Sequence, residues 1–242
     1  VRLTVTWGSA NNVRLELPGG TQHSGTFGWG TDDWATFRVV MDLIANSGQG
    51  SGSVYYSLDG GTTWDPVVGL HDVNLGLDPT ATTAANPTLW DDLFFHFEGQ
   101  TSELDNFIVG VLHPPYSFNN LSPGDLNGQD SWTTLVYNHT EDVQVVDGTT
   151  AGIDGSPYLQ FDVGGGGVGA DGWRLNAFTP FTDTETNAYF QADVSRRLSW
   201  GITFGPGYDT DGDGLRKDET ASDLGVRLTV TWGSANNVRL EL

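Results

Sequence analysis

VRLTVTWGSANNVRLEL, residues 1–17, recurs without one change as residues 226–242. In the first copy Val1, Leu3, Val5 and Trp7 alternate with Arg2, Thr4 and Thr6, the period of two expected of a half-buried strand. Val226, Leu228, Val230 and Trp232 repeat that pattern in the second copy. A Gly8-Ser9-Ala10-Asn11-Asn12 turn follows, and Val13-Arg14-Leu15-Glu16-Leu17 alternates again. Two alternating runs around a Gly/Asn turn predict a β-hairpin, and either copy suits the same place in a sandwich.

The two copies are offset by 225 residues, almost the whole 242-residue chain. The repeat is either an isolated duplication of one segment or the period of a polymer. In the second case the natural unit has 225 residues and this chain spans one period plus a 17-residue overlap. Such a period means a string of whole domains rather than a solenoid. Copies of the chain itself are then the expected partner. They are joined either covalently in tandem or by a duplicated strand that completes a neighbour's sheet.

Outward from the repeat, short β-rich runs alternate with Gly, Asn and Asp turns. Strands are expected at 35–44, 53–58, 93–98, 106–112, 132–137, 143–146, 159–163, 173–178, 188–194 and 201–204. No segment sustains an apolar period of 3.6 with caps, so little helix is expected. The expected class is all-β: a two-sheet antiparallel sandwich or jelly roll. His113-Pro114-Pro115-Tyr116 reads as a boundary, because consecutive prolines leave a strand ladder. It divides the chain into 1–115 and 116–242.

From Ser117, SFNNLSPGDLNGQDSW resembles the opening of LamG-like, concanavalin A-type jelly-roll modules of secreted, planctomycete-like bacterial proteins. ELDNFIVGV, Glu103–Val111, is similar to the Asp-Asn strand that closes such modules. The resemblance implies that 1–115 is the C-terminal half of a module and 116–242 the N-terminal half of the next, a circularly shifted view of one jelly roll. It implies carbohydrate binding, adhesion or surface architecture, and no particular catalytic residues.

Ten basic against 31 acidic residues give a formal net charge of −21. A polyanion without Lys/Arg clusters cannot release counterions from a phosphate backbone, so nucleic acid is excluded as an expected partner. No apolar run approaches the ~20 residues that span a bilayer, so membrane insertion is not expected. Zero cysteine excludes a disulfide scaffold and thiolate metal sites. With 37% hydrophobic and 12% aromatic residues, the chain has material for a substantial core.

Asp209, Asp211 and Asp213, followed by Gly214, place carboxylates at positions 1, 3 and 5 and glycine at 6 of a calcium loop. Position 12 is Thr220 rather than Glu, so Asp218 and Glu219 are the expected substitutes. Ca2+ is the expected cofactor, with a solvated acidic loop as the competing reading. Ser57-Leu58-Asp59-Gly60-Gly61-Thr62-Thr63-Trp64 matches an Asp-box, S-x-D-x-G-x-T-W. It predicts a hairpin turn in which Asp59 accepts backbone N–H groups, the glycines take positive φ and Trp64 packs beneath. Asn120 and Asn138 head sequons. Trp29, Trp34, Trp90 and Trp132 lie near turns, where indoles either fill a core or stack on sugars. Gly164–Gly169 spells G-x-G-x-x-G without a helix behind it, and the five histidines have no ligand spacing.

The expected function is therefore structural and non-enzymatic: a repeat subunit of an extracellular or cell-surface fibre, stabilised by calcium. A carbohydrate-binding or adhesive module is the alternative, with a glycoside hydrolase or sialidase a more distant one.

Overall fold

A computed structural model describes residues 12–16, 22–28, 34–83, 85–90, 92–99, 101–109, 118–135, 143–148, 156–162, 170–175, 187–195, 200–207, 227–232 and 237–241. The architecture is all-β. An eight-stranded sheet joins β1 (Asn12–Glu16), β2 (Gln22–Thr26), β7 (Asp92–Gly99), β10 (Trp132–Leu135), β13 (Ala170–Leu175), β15 (Trp200–Gly207), β16 (Arg227–Trp232) and β17 (Asn237–Glu241). Its order is β10-β13-β7-β15-β16-β17-β1-β2.

A nine-stranded sheet contains β3 (Trp34–Asp42), β4 (Ser51–Ser57), β5 (Asp65–Pro66), β6 (Val73–Asn74), β8 (Thr101–Val109), β9 (Gly124–Asp125), β11 (Gln144–Val146), β12 (Tyr158–Asp162) and β14 (Asn187–Ser195). Its order is β5-β4-β3-β14-β8-β12-β11-β9, with β6 also paired to β4. Strands from both sides of the 113–116 boundary alternate in both sheets: β3 and β8 flank β14, while β13 and β15 flank β7. Residues 113–116 themselves lie outside the described residues. Among the described residues no helix is long and apolar enough to cross a membrane.

Among the described residues, a buried apolar core lies on the nine-stranded sheet. On β3, Phe37, Val39 and Met41 share one face and are fully buried, as strand alternation requires. Val54 of β4 lies beside them, and the stretch after it folds back, burying Val67, Leu70, Val73, Leu75 and Leu77. Two hydrogen bonds fix this return: Val67 N donates to Val54 O at 2.9 Å, and Val54 N to Leu70 O at 2.9 Å. Gly52 permits it sterically, because a Cβ there would stand 2.7 Å from Leu75 Cδ2. Phe118, Leu126, Trp132, Val143, Val145 and Leu159 form a second buried group.

The turn between β3 and β4 is not predicted by any apolar pattern. Asn46 and Ser47 adopt left-handed φ values of 51° and 62°. Asp42 Oδ1 accepts the N–H groups of Ile44 and Ala45, each at 3.1 Å, the local bonding by which Asp starts turns.

Candidate assembly interface

The second copy of the repeat forms the predicted hairpin. β16 and β17 pair antiparallel, with Leu228 opposite Leu240 and Val230 opposite Val238. On its other side β16 pairs with β15, setting Leu228, Val230 and Trp232 opposite Phe204, Ile202 and Trp200. Residues two apart on a strand share a face, so the apolar positions of β15, β16 and β17 fall in register across three strands. Val1, Leu3, Val5, Trp7 and Val226 lie outside the described residues.

The first copy contributes β1, which lies beside its own duplicate. β1 and β17 pair parallel, each residue against its equivalent: Asn12 with Asn237, Val13 with Val238, Arg14 with Arg239, Leu15 with Leu240, Glu16 with Glu241. Among the described strands this is the one parallel pairing. β1 then pairs antiparallel with β2, from Asn12 opposite Thr26 to Glu16 opposite Gln22.

β2 has the sequence QHSGT, which carries no apolar alternation that would predict a strand. Its place is fixed from outside. A Cβ on Gly25 would meet Val68 O at 2.4 Å and Val67 Cγ1 at 2.7 Å, so the absence of a side chain lets β2 lie against the 67–70 return. Immediately beyond it, buried Phe27 makes edge-to-face contacts with Phe37 at 5.3 Å and Tyr56 at 5.4 Å between ring centroids. Such pairs contribute roughly 1 kcal/mol beyond their buried area. Through them the end of the eight-stranded sheet is fastened to the nine-stranded one.

The Asp-box forms the turn between β4 and β5. Asp59 Oδ1 accepts from Thr62 N at 3.0 Å and Thr63 N at 2.9 Å, and Oδ2 accepts from Thr63 Oγ1 at 2.7 Å. These donors, with the Ser57 hydroxyl, hold the Asp59 carboxyl down to a pKa of about 2; the backbone N–H of Thr63 is the largest cause. Gly60 and Gly61 have φ of 70° and 85°. Trp64 lies under Gly61, 3.2 Å from where a Cβ would stand, and carries the Arg38 guanidinium over its ring at 3.9 Å. Arg38 is fixed in turn by Nε donating to Gln191 Oε1 at 2.8 Å.

The nine-stranded sheet also holds a buried polar group, which no local sequence pattern predicts. Asp105 on β8 and Asp193 on β14 occupy paired positions and are 0% and 6% exposed. Asp193 accepts from the Thr36 hydroxyl and, at 2.8 Å, from Asn106 Nδ2. Asp105 accepts from Asn106 N at 2.7 Å and from Ser156 Oγ at 3.2 Å. The ladder shifts register here: Gln191 faces Ile108 but Asp193 faces Asp105, so β8 carries one extra residue. Asn106 takes φ 48°, a left-handed value that Asn tolerates and that bulges use. The Asp-Asn pair of the ELDNF motif is thus a bulge that satisfies two buried carboxylates. Its strand begins five residues before the expected Asn106, at Thr101.

Other expected sites fall differently. Asp209, Asp211, Asp213, Asp218 and Glu219 lie outside the described residues, as does Asn138. Among the described residues no group of three or more His, Cys, Asp or Glu is placed to hold a metal ion. Asn120 is exposed at the end of the 3-10 turn Phe118–Asn120, a position open to glycosylation. Trp90 and Trp132 are fully buried, so the sugar-stacking reading gives way to the core reading for both; Trp34 packs edge-to-face on Tyr158 at 6.0 Å. No protein-family model matches the chain and no curated protein matches it, which leaves the repeat and its strand register to carry the functional reading.

Proposed function

We propose that this chain is a structural, non-enzymatic repeat subunit of an extracellular filament or cell-surface fibre, built on a circularly shifted jelly roll. One observation carries the reading: a 17-residue hairpin sequence is repeated exactly at an interval of 225 residues. The pairing of the two copies residue for residue supports it, because a sheet position that accepts one copy accepts the other. Identical surfaces joined head to tail generate open fibres when the rotation does not close. With no cysteine in the chain, such a fibre is held by strand pairing, chain continuity and cation binding.

Calcium belongs to this proposal through the Asp209–Glu219 loop, where a divalent ion offsets repulsion between subunits of net charge −21. An ion bound only to the folded state raises stability by about 2.7 kcal/mol at a hundredfold excess over its Kd. Chelation is therefore expected to lower the melting temperature, and an unchanged melting curve would remove calcium from the proposal. The filament itself is tested by negative-stain microscopy at rising protein concentration. Fibres of constant width are expected; dispersed particles of 26.1 kDa at every concentration would refute assembly by strand complementation.

A further inference from the structure

The two copies of one strand occupy adjacent positions in the eight-stranded sheet. Residues 12–16 and 237–241 are the same five residues, NVRLE. β1 finds its antiparallel partner in β2, and β17 finds its own in β16. With a single copy of NVRLE, the sheet would run β15-β16-β17-β2 and be antiparallel at every step. The second copy enters only through the parallel pairing of like on like. That pairing sets Arg14 against Arg239 and Glu16 against Glu241, and paired positions of like charge are unfavourable in a sheet.

If β17 takes the register that β1 has with β2, Arg239 faces Ser24 and Glu241 faces Gln22. No like-charged pair remains. β2 is the fixed side of this joint, since Gly25 and Phe27 seat it against the other sheet. β1 and β17 are the interchangeable side. An antiparallel edge that accepts an identical strand accepts it equally from another molecule, the physical basis of strand exchange.

We infer that the position of β1 is an exchange site for a second copy of this chain. β17 of one molecule lies antiparallel on β2 of the next and displaces that molecule's β1. The inference rests on the filament reading and specifies its joint: the eight-stranded sheet continues from one subunit into its neighbour.

The chain has no cysteine, so introduced thiols report the joint without background. With β1 in place, positions 24 and 239 are two strand spacings apart, about 10 Å, beyond disulfide reach. With β17 on β2 they are directly paired. Chains carrying Ser24→Cys and chains carrying Arg239→Cys are mixed and oxidised, and the products are resolved without reductant. A disulfide-linked heterodimer at least tenfold above the dimer of either chain alone is the expected result.

An internally bridged Arg14→Cys/Ser24→Cys chain verifies that β2 folds as described. If that bridge forms and the mixture gives no heterodimer, the inference is overturned. It is equally overturned if a Ser24→Cys/Arg239→Cys chain bridges only within itself. Fibres without the 24–239 bridge would sink this joint and leave the filament reading standing. The bridge in the absence of fibres would do the reverse.

Discussion

Identical residues stand at paired positions in both sheets, and the two sites treat them in opposite ways. In the nine-stranded sheet Asp105 and Asp193 face each other across β8 and β14, buried, with a bulge and the donors Thr36, Asn106 and Ser156 arranged around them. In the eight-stranded sheet Arg14 is paired with Arg239 and Glu16 with Glu241 because two copies of one sequence lie in register. Buried carboxyl groups persist in a fold only where hydrogen bonds compensate their desolvation. The first site is specified by residues distant in sequence that converge on two carboxylates. The second follows from identity alone, and identity does not select which copy, or whose, is present. A site of the first kind locks a fold, while one of the second kind leaves a position open to exchange.

The comparison breaks most sharply at Asp193. Asp193→Ala strips acceptors from Thr36 and Asn106 inside the protein. It should cost about 3 kcal/mol in urea unfolding, the scale of leaving buried donors without acceptors. A loss below about 1 kcal/mol would mean that the Asp105–Asp193 pair does not organise the sheet.

Gly25→Ala tests the fixed side of the exchange joint. Its Cβ would stand 2.4 Å from the Val68 carbonyl oxygen, and overpacking against backbone costs about 2 kcal/mol. Gly28→Ala, which meets nothing within 4 Å, is the matched control and should unfold at the wild-type urea midpoint.

Smaller effects are expected at the Asp-box, whose first residue, Ser57, is paired with Thr36 on β3, the strand that separates it from Asp193. Ser57 is 2% exposed and its Oγ accepts from Gly61 N at 2.8 Å. Ser57→Ala should lower stability by about 1 kcal/mol. The Asp59 carboxyl is held at about 2 instead of 3.8. A depressed carboxyl stabilises the fold fully above the unfolded value and loses that contribution as pH falls through the folded value. The stability difference between wild type and Asp59→Asn should therefore be constant above about pH 4 and shrink between pH 4 and 2. A difference that stays flat through that window would contradict the hydrogen bonding described for this turn.

Much of this fold is written in local periodicity. β3, β4, β12 and β14 lie within a few residues of the expected runs, because alternation and β-branched or aromatic content are local properties. The repeated hairpin is legible for the same reason, and so is the Asp-box, whose hydrogen bonds all span four residues or fewer.

What local pattern cannot carry is a strand defined by its partners. QHSGT becomes β2 through the missing Cβ of Gly25 and through Phe27 beyond its end. Thr101–Asp105 extends β8 although it is polar, because Asp105 is satisfied by Asn106 and by Ser156, 51 residues away. The two-residue strands β5, β6 and β9 are too short for any period to register. The parallel register of β1 on β17 is of the same kind: the repeat is visible in the sequence, but the choice between its copies depends on β2.

That choice is tested most directly by placing one substitution in each of the two identical strands. Proline removes a backbone N–H and cannot sit in an interior strand. Sedimentation velocity of Val13→Pro and Val238→Pro chains, alongside wild type at matched concentrations, reads assembly for each. Val13→Pro, in the strand that yields its place, should sediment as the same large species as wild type. Val238→Pro, in the strand that is donated, should remain at 26.1 kDa with its β-sheet circular dichroism retained. Equal behaviour of the two variants would contradict the assignment of β17 as the assembling strand.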